Sequence, residues 1–213
     1  MLTLYLVTDR TLTGDRPLDD VINEAIAGGV TCVQLREKHA TTRAFITEAQ
    51  RVRHLLAGSG VPLIINDRVD VALAVEADGV HLGQQDMPYP MARALLGPDA
   101  IIGLSVEHPA DVERAADYDV DYLGVSPIFA TPTKRDTRGE WGLDGLAALR
   151  RRTRIPLVAI GGMNRRNVAD AVRSGADGVA VVSAICAAPD PRRAAEDLRR
   201  RIDDARPALE RQP

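Results

Sequence analysis

The chain has 213 residues, 45% of them hydrophobic and 27% charged, an ordinary balance for a soluble globular protein. A formal net charge of -3 and a pI near 5.8 give no general attraction for polyanions, and aromatics at 3% leave few stacking platforms for single strands. Nucleic acid is therefore not an expected partner, and any cationic site has to be built locally from a few placed Lys and Arg.

In chain order, the first element is the apolar run "LTLYLVT" (2–8), which has no cationic leader and is too short for a signal peptide or a membrane span. No later run approaches spanning length. Cys32 and Cys186 lack CxxC spacing and suggest no disulfide framework, so the expectation is a reduced, cytoplasmic protein with no membrane contact. Leu18, Val21, Ile22 and Ala25 mark a first helix behind Pro17. A second strand, "VTCVQLR" (30–36), leads to a helix whose stripe is Phe45, Ala49, Val52 and Leu56, with Gly58 as its stop. Strands "PLIIN" (62–66), "GVHL" (79–82), "IIGLS" (101–105), "DYLGVS" (121–126), "PLVAI" (156–160) and "GVAVVS" (178–183) follow, each succeeded by helical pattern, one of them opened by Pro109. "PRRAAEDLRRRIDDARPALERQP" reads as a closing helix with Leu198 and Ile202 inward, a solvated Arg face, and a loose end from about residue 206.

"EADGV" (76–80) and "GADGV" (175–179) echo one another, and "DVDYLGV" does similar work between helix and strand. About eight strand–helix units without a hairpin signal predict an α/β chain forming a single-domain (β/α)8 TIM barrel over residues 1–213. The competing doubly wound sheet lacks its dinucleotide fingerprint.

A barrel collects its chemistry at the C-terminal ends of its strands. Those ends carry Asp9, then Gln34, Arg36 and Lys38, then Asn66 and Asp67, then His81, Gln84 and Asp86, then Ser105. Further on come Thr131, Thr133 and Lys134, then Gly161 and Gly162, then Ser183. Arg36 and Lys38 are costly to bury, so an anion is expected to meet them. Asp67 and Asp86 end adjacent strands and suit Mg²⁺, which takes one or two carboxylates plus substrate phosphates; alone, each could equally cap a helix. With the cations in the same mouth, a metal-bound diphosphate is the better account. His39, His54, His81 and His108 are scattered and do not suggest zinc. "AIGGMN" (159–164) and "VAVVSAI" (179–185) fall at the corner where this fold receives a plain phosphate. The long polar excursion at 126–146 reads as a lid, with Trp141 as its hydrophobic anchor. Two anion sites fit two phosphorylated small molecules better than one polymer.

"QLREK", "NDR", "HLGQQD", "GLS", "PIFATPTK", "AIGG" and "GADGVAVVSAI" stand in the order and spacing of the thiamine phosphate synthase family, which the chain resembles over nearly its whole length. Ser126 departs from the glycine more often found before the "PIF" turn. The resemblance implies a transferase joining a hydroxymethylpyrimidine diphosphate to a hydroxyethylthiazole phosphate, with Mg²⁺ as cofactor. It implies that Gln34, Arg36, Glu37, Lys38, Asn66, Ser105 and Lys134 hold the pyrimidine diphosphate, with Arg36, Lys38, Ser105 and Lys134 acting in catalysis. Thr131, Pro132, Thr133, Gly162, Val182 and Ser183 would hold the thiazole phosphate, and Asp67 and Asp86 the metal. Homo-oligomerisation is left open. The rivals are a thiazole tautomerase-like barrel and a non-catalytic barrel that binds a phosphorylated metabolite.

Overall fold

The computed structural model describes residues 2–131 and 139–206. Eight parallel strands close into a barrel: β1 (Leu4–Val7), β2 (Cys32–Leu35), β3 (Leu63–Asn66), β4 (Gly79–Leu82), β5 (Ile101–Val106), β6 (Tyr122–Val125), β7 (Leu157–Ala159) and β8 (Gly178–Val181), with β8 pairing back onto β1. These are the eight apolar runs expected from the sequence.

Period-two alternation splits each strand between two cores. Leu4 and Leu6 of β1 join the large cluster under the outer helices, whereas Tyr5 and Val7 turn into the barrel with Cys32, Ile64, Tyr122, Val158 and Ala180. The interior is therefore packed, not a pore, and any ligand has to lie above it.

The opposite end of the barrel explains the sequence echoes. Asp78, just before β4, accepts the backbone N–H of Leu63 at 2.7 Å. Asp121, before β6, accepts that of Ile102 at 2.8 Å, and Asp177, before β8, that of Leu157 at 2.7 Å. Thr31, before β2, does the same for Leu4 at 3.1 Å. One side chain per pair of strands thus satisfies an N–H at the start of each odd strand, a fourfold repeat of a two-strand unit. Arg93 and Arg150 reinforce two of these stitches through Asp121 and Asp177.

Helices form the outer ring. α1 (Leu18–Ala27) buries Leu18, Val21, Ile22 and Ala25 and carries Asp19 and Asp20 in its first turn, where the helix dipole favours negative charge. α2 (Thr42–Leu56) is capped by Thr41 and buries the expected stripe of Phe45, Ala49, Val52 and Leu56. The shorter helices are α3 (Val69–Val75), α4 (Tyr89–Leu96), α5 (Pro109–Ala115), α6 (Gly142–Arg150) and α7 (Val168–Arg173), then α8 (Ser183–Cys186). α9 (Pro191–Ala205) closes the ring with Leu198 and Ile202 buried and its arginines paired to Glu196, Asp197 and Asp203. The C-terminal end expected to be loose lies outside the described residues from 207 onward.

Candidate active site

At the mouth, the segments after β2, β3 and β4 converge. Lys38 Nζ lies 2.5 Å from Asp67 Oδ2. Asp67 adopts the left-handed region at φ 66, unusual outside glycine, while its N–H donates to the His81 carbonyl at 2.9 Å. Asp86 Oδ2 accepts the Gly83 N–H at 2.6 Å. Burial pushes the Asp86 carboxyl up, the Gly83 N–H pulls it back, and the neighbouring Asp67 pushes it up again, for a net rise. Two carboxylates facing one another beside one lysine form a cluster whose electrostatics call for more positive charge. Neither Asp caps a helix, since the N-cap positions of α3 and α4 are Arg68 and Pro88, so the capping alternative fails.

Arg36 flanks this cluster, its Nη1 3.8 Å from Asp9 Oδ2, and its backbone N–H donates to Thr8 Oγ1. Glu37 is engaged by Arg10 at 3.2 Å, and Arg10 also bridges to Glu48 of α2 at 2.8 Å. Asn66 closes β3 and is buried. Gln84 donates to the Ser105 carbonyl at 2.6 Å and accepts from Arg114 at 2.9 Å.

Directly beneath the mouth runs a polar chain that sequence reasoning only half saw. The Gln34 amide donates to the Tyr5 hydroxyl at 2.9 Å, and Tyr5 and Tyr122 hydroxyls meet at 2.9 Å. Tyr122 reaches His81 Nδ1 at 3.0 Å, and His81 Nε2 reaches Ser105 Oγ at 2.8 Å. Burial, and in Tyr5 the facing Tyr122, push both phenols well above their usual range, so they stay protonated. Room for these rings comes from two strand glycines. A Cβ on Gly103 would lie 2.1 Å from the Tyr122 ring, and one on Gly124 would lie 2.8 Å from His81 Cε1. Gln34, His81 and Ser105 stood out at strand ends; Tyr5 and Tyr122 did not, because a tyrosine inside an apolar run reads as ordinary core. The available signal was chemical, as a fully buried phenol needs a hydrogen-bond partner.

At the far side of the mouth the chain after β6 pairs with the end of β7. Ile128 N–H donates to the Ile160 carbonyl at 2.9 Å and Phe129 N–H to that of Gly161 at 3.1 Å. Gly162 at φ 66 is held so close that a Cβ would sit 2.9 Å from the Ala130 carbonyl oxygen. Thr131, one residue on, is thereby brought to the Gly162 turn, and Val182 and Ser183 open α8 on the neighbouring strand. Trp141 returns the loop, its indole N–H donating to the Val106 carbonyl at 3.2 Å and its ring packing on the core. Pro132, Thr133 and Lys134 lie outside the described residues, as does the body of the expected lid.

Among the described residues no three His, Cys, Asp or Glu side chains gather in the manner of an all-protein metal cage, and no helix is long and apolar enough to cross a membrane. A closed barrel with two carboxylates and a lysine at one side of its mouth, and a glycine turn at the other, has the layout of a (β/α)8 enzyme, whose chemistry sits at the strand ends. The comparisons carry the identification further. Residues 4–185 match the family model for thiamine monophosphate synthase. The chain is 59% identical over 202 residues to a thiamine-phosphate synthase of Albidiferax ferrireducens, covering 95% of this chain and 92% of that one. It is 53% identical over 195 residues to the one of Vibrio campbellii, covering 92% and 95%. The solved thiamine phosphate pyrophosphorylase of Pyrococcus furiosus superposes with a TM-score of 0.88 at 40% identity, covering 96% of each chain. The chain belongs to the thiamine monophosphate synthase family, and it is a transferase.

Proposed function

We propose that the enzyme condenses 4-amino-2-methyl-5-hydroxymethylpyrimidine diphosphate with 4-methyl-5-(2-hydroxyethyl)thiazole phosphate, giving thiamine phosphate and diphosphate. The observation that carries this is the convergence of Lys38, Asp67 and Asp86 at the ends of three successive strands. Such a cluster suits a departing diphosphate and has no evident use in rearranging a thiazole phosphate alone.

The facing carboxylates fit Mg²⁺, which is held by one or two carboxylates together with substrate phosphates. Asp67 and Asp86 would hold it, and when bound it would neutralise charge on the phosphates. Lys38, at 2.5 Å from Asp67, is placed to exchange that carboxylate for a phosphate oxygen. Arg36 and Lys134 would add charge to the same anion, while Gln34, Glu37, Asn66 and Ser105 would fix the pyrimidine end.

An aminopyrimidine stabilises positive charge developing at its methylene, so bond breaking can run well ahead of bond making. The site then needs charge neutralisation on the leaving group more than a general base. Thr131, Pro132 and Thr133, with Gly162, Val182 and Ser183, would hold the thiazole phosphate and present the ring nitrogen to the methylene. Fixing both reactants face to face supplies the remaining advantage. The enzyme would work in the cytoplasm, where both precursors are small soluble metabolites.

The test is to incubate the protein with both precursors and Mg²⁺ and to follow thiamine phosphate and diphosphate together. Equal amounts of the two, each requiring both substrates, are expected. Diphosphate without thiamine phosphate, or neither product, contradicts the reading.

A further inference from the structure

The first three residues after β1 lie side by side with the residues that close β2. Thr8 N–H donates to the Gln34 carbonyl at 2.9 Å, and the Arg36 N–H donates back to Thr8 Oγ1 at 3.1 Å. Beyond these two bonds the pairing continues in charge. Asp9 Oδ2 stands 3.8 Å from Arg36 Nη1, and Arg10 Nη2 stands 3.2 Å from Glu37 Oε1. The "DR" after one strand thus faces the "RE" after the next, each charge opposite its complement. Asp9 is itself fixed, since its Oδ1 accepts the Thr11 N–H at 3.0 Å and the Thr11 hydroxyl at 2.6 Å, capping a short 3-10 turn over Arg10–Leu12.

Three consecutive side chains after β2 therefore part company. Arg36 and Lys38 meet Asp9 and Asp67, whereas Glu37 between them is drawn to Arg10. The same Arg10 nitrogen reaches Glu48 Oε1 of α2 at 2.8 Å, so one cation holds two carboxylates whose side chains are 16% and 15% exposed. Glu48 has a second partner in Arg51 at 2.6 Å. Among the described residues, Arg10 is the only cation paired with Glu37. Without it Glu37 would be left mostly buried beside Glu48 with nothing to neutralise it, and a carboxylate so placed moves toward other positive charge. The cations at hand are its neighbours in the chain, Arg36 and Lys38, the pair that the proposed reading assigns to the diphosphate.

We infer that Arg10 is a positioning residue that holds the Glu37 carboxylate off the diphosphate site, leaving Arg36 and Lys38 to take the anion. Arg10 touches neither substrate and acts through Glu37. The inference deepens the proposed reading and rests on it in taking the ligand to be the diphosphate end of the pyrimidine substrate.

The test is a double-mutant cycle between Arg10→Ala and Glu37→Gln, read as the Kd of inorganic diphosphate with Mg²⁺ by calorimetry. Arg10→Ala alone is expected to weaken diphosphate about fivefold, the scale of one exposed charge pair. In the Glu37→Gln background the same substitution is expected to change Kd by less than about twofold, since no charge remains to be restrained. A merely structural Arg10 would lower affinity equally in both backgrounds. That outcome, an unchanged Kd in Arg10→Ala, or no diphosphate binding by the wild type overturns the inference. The KM for the thiazole phosphate is expected to stay at the wild-type value in Arg10→Ala, and a rise matching that for the pyrimidine diphosphate overturns it too. The Arg10 side chain is 47% exposed, so its loss opens no buried cavity. Should Arg10→Ala still fail to fold, Arg10→Gln in the same two backgrounds decides. Protein that shows the coupling yet forms no thiamine phosphate would remove the proposed function and leave the role of Arg10 standing.

Discussion

Gly103→Ala tests the packing that puts the polar chain under the mouth. The new methyl would lie 2.1, 2.4 and 2.5 Å from three atoms of the Tyr122 ring. Carbon contacts settle near ~3.5–4.0 Å, so the ring would have to retreat by roughly 1.4 Å. Its hydroxyl is tied at 2.9 Å to Tyr5 and at 3.0 Å to His81, and such a retreat carries both bonds beyond useful length. Overpacking costs ~1–3 kcal/mol and the two hydrogen bonds about 1 kcal/mol each, which together make about 3–5 kcal/mol. For a chain of this size that corresponds to a drop in Tm of about 10 °C by calorimetry. The same substitution in a Tyr122→Leu background should cost far less, because the ring it strikes is gone. A drop below about 3 °C, or an equal cost in both backgrounds, would refute the reasoning.

Asp67→Asn is expected to move the Mg²⁺ activation curve about tenfold toward higher concentration, since one ligand charge is lost; superimposed curves would contradict the assignment. Asp177→Ala removes the acceptor for the Leu157 N–H at the start of β7 and should cost about 1–2 kcal/mol in urea unfolding, with Asp177→Asn costing less. Burial pushes the Glu48 carboxyl up, but hydrogen bonds from Arg51 and Arg10 overcome it and hold it below its usual range. A depressed folded value means stability present above the unfolded pKa and lost as pH falls through the folded one. Glu48→Gln should therefore narrow the stability difference between neutral pH and about pH 3, and an unaltered acid limb would count against the Arg10–Glu48–Arg51 network.

The fold was legible because barrel strands are buried on both faces and read as short Val- and Ile-rich runs, each answered by a helical stripe such as Phe45, Ala49, Val52 and Leu56. The echo of "EADGV" and "GADGV" was visible as text, but its meaning was not. That Asp78 and Asp177 stitch the preceding strand depends on which strands are neighbours, and so appears only on closure. The cluster of Lys38, Asp67 and Asp86 was legible because charge at a strand end is expensive unless something meets it. Tyr5 and Tyr122 were hidden by the same rule that revealed the strands, since alternation tells which residues face inward and not which of them touch across the interior. The left-handed Asp67 was equally unreadable, because nothing in "NDR" distinguishes a carboxylate on a strained turn from one capping a helix.

The central claim is that Lys38 after β2, beside the carboxylates after β3 and β4, serves the departing diphosphate. Single-turnover formation of thiamine phosphate by Lys38→Ala, with Mg²⁺ and both substrates saturating, addresses it most directly. The account predicts a chemical step slower by about a hundredfold, with affinity for the thiazole phosphate unchanged. A wild-type rate for that step, or a defect confined to thiazole phosphate binding, would contradict it.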